Sequence, residues 1–291
     1  MSSPDPATEA RASSNDPAEP SGPYSKLYTG YVLGMVLTTM IFANIDRTIL
    51  SILVRPVKEE FRLSDTQMGL LLGPAFALVY TLFSLPIGRY ADAGGSRRTI
   101  VAASLFIWSC FTTGTAFVTS YWQLFVMRMG VGIGESGGTA PSVSMLSDYL
   151  PPSRRARGVS VISIGAVIGM GLGMILGGWL SEEVGWRSAF LAAGIPGIAL
   201  AILYRITIRE PVRGGSERRE SAGSGDFWPT LKLLLGQRTY LVILAANGFS
   251  IFASMGRNLW EPSFLVRSYG MGELHAGTWY FLTSPLPSML G

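Results

Sequence analysis

The chain has 291 residues, 48% of them hydrophobic and only 14% charged, and its 23 basic and 19 acidic residues leave a formal charge of +4. Soluble domains carry about 25% charged residues, so a compact water-soluble domain is excluded, and the high apolar content excludes a disordered chain. The basic excess consists of arginines set between long apolar runs, where it reads as membrane orientation and not as a nucleic-acid surface; no nucleic-acid partner is expected.

In chain order, residues 1–26 are rich in Ser, Pro, Ala, Asp and Glu. They predict a disordered cytoplasmic tail and not a signal peptide, which needs an apolar stretch behind basic residues. A helix crossing the hydrocarbon needs about 20 apolar residues. The runs Thr66–Gly88 and Gly158–Ser181 meet that length without one Asp, Glu, Lys or Arg. Thr99–Met127 is too long for one helix, so Thr119-Ser120-Tyr121-Trp122 reads as a hairpin turn at the interface, where Tyr and Trp prefer to sit. Eight helices are predicted, at 28–53, 66–90, 98–119, 122–147, 157–181, 188–208, 239–260 and from about 274. Three regions follow the tail: an N-terminal six-helix bundle at 27–208, a polar Gly/Ser/Arg-rich cytoplasmic linker at 209–238, and the start of a second bundle at 239–291.

Basic residues set the orientation. Arg89, Arg97 and Arg98 flank the loop between helices 2 and 3, Arg154, Arg155 and Arg157 occupy the 4–5 loop, and the linker carries Arg209, Arg213, Arg218, Arg219, Lys232 and Arg238. The 3–4 turn has no Lys or Arg, and the 5–6 loop sets Glu182 and Glu183 against Arg187, although Arg55, Lys58 and Arg62 populate the 1–2 loop. The asymmetry predicts a multi-pass integral membrane protein with its N-terminus and long linker in the cytoplasm; the expected location is the bacterial inner membrane.

Charge within the hydrocarbon is the informative feature, because a central Asp, Arg or Lys costs about 2.5–3.5 kcal/mol. Asp46 and Arg47 interrupt the first helix, and Arg128 and Glu135 the fourth. Arg128 and Glu135, close to two turns apart, share one face about 10 Å apart along the axis. Two carboxylates and two guanidiniums can neutralise one another in pairs. One reading is a proton relay, in which movement of either partner switches a carboxylate that faces a cavity. The other is static, with the charges cross-linking helices.

Glycines at 165, 169, 173 and 177 recur every four residues and give the fifth helix a stripe without side chains, suited to close helix packing. Gly130, Gly132, Gly134, Gly137 and Gly138 make the fourth helix slender, with Pro141 as its expected kink. No enzyme chemistry is expected, because Ser136 and Ser142 have no histidine near them in sequence. No cofactor is called for, and the lone His275 and lone Cys110 support neither a metal site nor an intramolecular disulfide. Cys110 reads as a small hydrophobe.

The 2–3 loop runs Gly88-Arg-Tyr-Ala-Asp92-Ala-Gly-Gly95-Ser-Arg97-Arg98. Gly88 is expected to end helix 2, and Asp92 to accept from the amides that open helix 3. At Gly88, Asp92, Gly95, Arg97 and Arg98 the loop resembles the signature of the major facilitator superfamily, departing from it at Ala93, where a basic residue is usual. The wider pattern resembles the spinster branch: Asp46-Arg47, then Leu63-Ser64, Gln67, Gly69-Leu70-Leu71, Phe76, Tyr80 and Pro86, then Arg128, Gly132, Gly134 and Glu135, Gly185-Trp186-Arg187, Phe190, Trp260, Pro262, Phe264 and Leu265.

The resemblance implies an all-α major facilitator fold of twelve helices in two halves related by a pseudo-two-fold axis, of which this chain holds the first six and about two more. It implies that Asp46, Arg47 and Glu135, with Arg128, form the charged cavity for proton coupling and substrate, and that Gly88, Asp92, Gly95, Arg97 and Arg98 form a cytoplasmic gate. It further implies a secondary transporter moving an organic, amphipathic or lipid-like anionic solute by alternating access, with protons and membrane lipid as partners. Phe76, Tyr80, Phe83 and Trp108 are the candidate apolar walls. The chain stops inside helix 8 and is expected to be a fragment of a longer carrier; a non-transporting remnant or membrane sensor is the alternative.

Overall fold

The computed structural model describes residues 24–213 and 227–287. The expected tail therefore lies outside the described residues up to residue 23, as do linker residues 214–226 with Arg218 and Arg219. The described residues are helical, in twelve α-helices and one short 3-10 turn. Five of the helical stretches are long and apolar enough to cross a membrane: Lys26–Ile52, Asp65–Asp92, Pro152–Glu183, Trp186–Thr207 and Arg238–Tyr269.

The first span is α1 (Lys26–Ile52), N-capped by Ser25, whose hydroxyl accepts from the Tyr28 amide at 3.3 Å. A short helix, α2 (Val54–Phe61), occupies what the hydropathy pattern assigns to a loop, burying Val54 and Val57. The second span is broken into α3 (Asp65–Leu72) and α4 (Pro74–Asp92), because Pro74 cannot continue the α3 hydrogen bonds but suits the first turn of a new helix. The third is α5 (Arg97–Thr115). The fourth is again two pieces, α6 (Tyr121–Glu135) and α7 (Thr139–Tyr149). This break falls at Ser136–Gly138, one turn ahead of the expected kink at Pro141, because Pro141 has no N–H to offer the Gly137 carbonyl.

The fifth and sixth spans are α8 (Arg155–Glu183) and α9 (Trp186–Thr207). The linker is not wholly polar loop: it contains α10 (Phe227–Leu235). The seventh span, α11 (Arg238–Tyr269), runs nine residues beyond the predicted end at residue 260, passing through Pro262 before Gly270 ends it in a left-handed conformation. Finally α12 (Glu273–Thr283) opens the eighth.

Packing follows an internal exchange of spans. α1 lies against α8 and α4 against α6, α5 lies against α9, and α5 meets α6 as α9 meets α1. Replacing each of spans 1–3 by the span three further on maps this set of contacts onto itself, as expected for two three-helix repeats. α12 packs on the remaining face of α8. Two hydrophobic clusters fill the block. One is built around Leu50, Leu53, Met68, Leu124 and Phe190, the other around Val36, Leu105, Trp108, Tyr149 and Tyr204.

Glycine sets how closely the spans approach. A Cβ on Gly169 would lie 2.8 Å from the Asn44 Cβ and 3.0 Å from the Ile41 Cα, and Gly165, Gly173 and Gly177 meet Met40, Ile45 and Ile49 of α1 in the same way. Gly132 touches the Phe76 carbonyl of α4, and Gly134 lies on the Trp108 backbone of α5.

Candidate functional site

Spans 1 and 4 cross where their charges meet. Arg47 Nε donates to Glu135 Oε2 at 2.5 Å, and an Arg128 guanidinium nitrogen donates to the Asp46 backbone carbonyl at 3.3 Å. The expected set of two carboxylates and two guanidiniums is thus one cluster. The face shared by Arg128 and Glu135 does not pair them with each other; both reach across to α1. Asp46 is 2% exposed and Glu135 1%, so both carboxyls are covered by protein and do not face lipid. The open member is Arg47, whose side chain is 34% exposed.

Aromatic rings hold the cations. Phe76 and Tyr80, one turn apart on α4, stack at 5.5 Å, and the Arg47 guanidinium carbon lies 5.5 Å from each ring centroid. Arg128 lies 6.0 Å from Phe76. A ring face is a favourable site for a guanidinium and satisfies part of its charge without using its N–H donors. Asp46 Oδ1, Glu135 Oε1 and Arg128 Nε have no hydrogen-bond partner. Such atoms in low dielectric are costly, which sets this cluster apart from the satisfied polar groups around it. Of the expected apolar walls, Phe83 is exposed, whereas Trp108 is buried against Gly134 and Gly138 and forms no open wall.

At the end of the bundle that carries the α4–α5 loop, the structure redistributes the expected roles. Gly88 lies inside α4, which continues to Asp92; the reversal comes at Gly94, whose φ of +110° favours glycine. Asp92 is exposed, and its carbonyl accepts from Arg213 at 3.2 Å. The amides opening α5 are taken instead by Ser96, which accepts from Thr99 at 3.3 Å, and by Glu210, which accepts from Arg98 at 2.8 Å. Gly95 packs on Tyr90.

Arg97 is buried and donates to Asp148 at 2.6 Å and Glu210 at 3.1 Å, while Arg98 donates to the Ile208 carbonyl at 3.2 Å. Glu210 and Asp148 are not legible in the sequence as parts of this loop, and Arg213 reads there only as an orienting charge of the linker, because all three join the loop only through the fold. Although burial opposes it, the Arg98 amide, Ser96 and Arg97 hold the Glu210 carboxyl below its ordinary value. A depressed carboxylate stabilises the fold above about pH 4.3, and that contribution fades as pH falls through its folded value.

The opposite end, which carries α2, joins the two parts of the chain by crossed ion pairs. Arg55, just past α1, grips Glu273 at the start of α12 through two bonds of 2.7 and 2.9 Å. Arg267, near the end of α11, donates to Asp65 at the start of α3 at 2.7 Å. Lys58 also meets Asp65 at 2.6 Å, and Glu182 of α8 accepts from the Leu274 amide at 3.0 Å. Trp260 of α11 lies 3.5 Å from a Cβ built on Gly69 of α3. Away from this end the first two-thirds of α11 is exposed. Arg257, Asn258 and Glu261 in α11 are further polar residues that the sequence signals in the same way as Asp46-Arg47, by charge along an apolar span.

Among the described residues no group of three or more His, Cys, Asp or Glu is placed to hold a metal ion. The family model described as Major Facilitator Superfamily matches residues 35–291. An MFS-type efflux pump of Mycolicibacterium smegmatis is 30% identical over 95% of this chain and 63% of its own length. A probable galactarate/D-glucarate transporter of Bacillus subtilis is 29% identical over 84% of this chain and 58% of its own length. A sphingosine-1-phosphate transporter of Danio rerio is 28% identical over 77% and 45%. Among solved structures, a bacterial homolog of the human lysosomal transporter spinster, inward-facing and unoccupied, superposes with a TM-score of 0.82 at 30% identity, over 92% of this chain and 61% of that one. The chain spans about half to two-thirds of the length of these relatives.

Proposed function

The chain belongs to the major facilitator superfamily, and from that premise we propose that it forms the greater part of a proton-coupled secondary transporter that moves an organic anion by alternating access. The observation that carries this reading is the Arg47–Glu135 pair at 2.5 Å, buried on the Glu135 side and open on the Arg47 side, over Phe76 and Tyr80. An anion arriving at Arg47 competes with Glu135 for the guanidinium. Released from Arg47, Glu135 is a buried carboxylate without its cation and takes up a proton, so anion and proton enter together. Asp46, held beside Arg128, is the second protonation site.

Three relatives support the substrate class: the solutes named for the transporters of Bacillus subtilis, Danio rerio and Escherichia coli, galactarate/D-glucarate, sphingosine-1-phosphate and L-galactonate, each join an anionic group to a hydroxylated carbon chain. The bacterial relatives favour an inner-membrane protein, and the arginine bias of the loops favours a cytoplasmic N-terminus, cytoplasmic residues 209–238 and a gate at the α4–α5 loop. In that orientation the crossed pairs Arg55–Glu273 and Arg267–Asp65 close the outer side. Gly165, Gly169, Gly173 and Gly177 keep α1 and α8 moving as one body.

The test is uptake into proteoliposomes. Radiolabelled D-glucarate is expected to accumulate under an imposed pH gradient and to stop when a protonophore collapses it. Accumulation indifferent to the protonophore contradicts proton coupling; a full-length relative beside it controls for the shorter chain.

A further inference from the structure

The heptad Ile41-Phe42-Ala43-Asn44-Ile45-Asp46-Arg47 of α1 returns in α11 as Ile251-Phe252-Ala253-Ser254-Met255-Gly256-Arg257. Beyond it, Leu53-Val54-Arg55 returns as Leu265-Val266-Arg267. The two downstream arginines are the ones that pair crosswise, each with an acidic residue at the start of a helix from the other part of the chain. α1 and α11 therefore occupy equivalent positions, and the crossed pairs fix their common level. Arg47 lies eight residues before Arg55 and Arg257 ten before Arg267. At 1.5 Å per residue the two guanidinium-bearing positions differ in depth by about 3 Å.

Arg257 is held only loosely, by an ion pair with Glu261 on its own helix. Its side chain is 67% exposed, and Glu261 Oε2 stands 3.7 Å from its Nε, beyond hydrogen-bond distance. An arginine facing lipid within a span is expensive, which favours a water-accessible placement for Arg257. Its neighbours are poorly satisfied in the same place. Asn258 Oδ1 and Glu261 Oε2 have no hydrogen-bond partner, and Pro262 has no N–H for the Asn258 carbonyl.

We propose that Arg257 is a second anion-binding group, the counterpart of Arg47 on the opposite wall, and that the pair selects a doubly charged organic anion over a singly charged one. This rests on the reading of Arg47 as the site of an organic anion. Arg47, Arg128 and Arg257 stand against Asp46, Glu135 and Glu261, three charges of each sign. A dianion is balanced when two of the carboxyls are protonated, which ties its entry to proton binding. The dianion is a dicarboxylate or a phosphate monoester; either presents two charges to two guanidiniums.

Calorimetric titration of the purified chain in detergent tests this with D-glucarate, glycerol 3-phosphate and D-gluconate. At least one of the two dianions is expected to bind about tenfold or more tightly than the monoanion, and which one does so identifies the source of the charge. Arg257→Gln is expected to remove that preference while gluconate binding stays within about twofold, and Arg257→Lys to keep most of it. A preference unchanged in Arg257→Gln, or an equal loss for all probes, overturns the proposal. Arg47→Gln weakening every probe beside a silent Arg257→Gln defeats this inference alone. An Arg47→Gln without effect, or no saturable binding of any probe to the unaltered chain, defeats the anion-site reading with it.

Discussion

Arg47 does two things in one position: it neutralises Glu135, which is 1% exposed, and it presents an open edge beside Phe76 and Tyr80. A buried ion pair is poor evidence of stability as such, but removing one partner leaves an uncompensated charge, at about 3–5 kcal/mol. Arg47→Ala is therefore expected to lower the melting temperature of the purified protein markedly, and Glu135→Gln added to it to restore most of the loss. Equal melting of the single and double variants would mean that the pair carries little charge. The four charges were legible in the sequence because each interrupts an apolar run. Their partners were not. Arg128 and Glu135 share a helix face and look like a pair, yet each is drawn to α1 by a crossing that no single-helix pattern encodes. Asp92 was misjudged for a related reason: Glu210, more than a hundred residues away, reaches the amides first.

At the level of elements, glycine and proline explain most of the differences between pattern and structure. The stripe on α8 was visible as a four-residue repeat, and in the fold it lies along α1. Gly169→Leu is expected to drive the two helices apart and to lose most of the folded, monodisperse protein by size-exclusion fluorescence. Gly34→Leu on α1, where a Cβ meets nothing within 4 Å, is expected to fold as the unaltered chain does. Comparable yields for both would show that the close approach is dispensable. The break at Gly73 was hidden because hydropathy continues smoothly across it, whereas the one at Ser136–Gly138 was expected a turn later, at Pro141. The extension of α11 was hidden because Glu261-Pro262 resembles a helix end. Proline removes one hydrogen bond and a 32-residue helix tolerates that.

For the whole molecule, the crossed pairs at the α2 end join the two parts of the chain beside the packing of α12 on α8. Asp65 is bound from its own side by Lys58 at 2.6 Å and from the other part by Arg267 at 2.7 Å, so it is both a local and a bridging contact. Asp65→Arg is expected to widen the distance between spin labels placed on α2 and on the α11–α12 turn. The swap Asp65→Arg with Arg267→Asp is expected to narrow it again. An unchanged distance in the single variant would remove the pairs from the closure. The family and the all-helical fold were readable from composition and from the 2–3 loop, whereas these pairs were not, since they join residues about two hundred positions apart.

The most direct measurement compares two assays on Asp46→Asn, which keeps the shape of the side chain and removes its titration. Exchange of labelled for unlabelled D-glucarate across proteoliposome membranes needs only alternating access and is expected to persist at a rate within about threefold of the unaltered protein. Accumulation driven by a pH gradient needs Asp46 as well as Glu135 to take up a proton and is expected to vanish. Gradient-driven accumulation that survives in Asp46→Asn at full strength would contradict the central claim that the buried carboxyls of spans 1 and 4 couple protons to the solute.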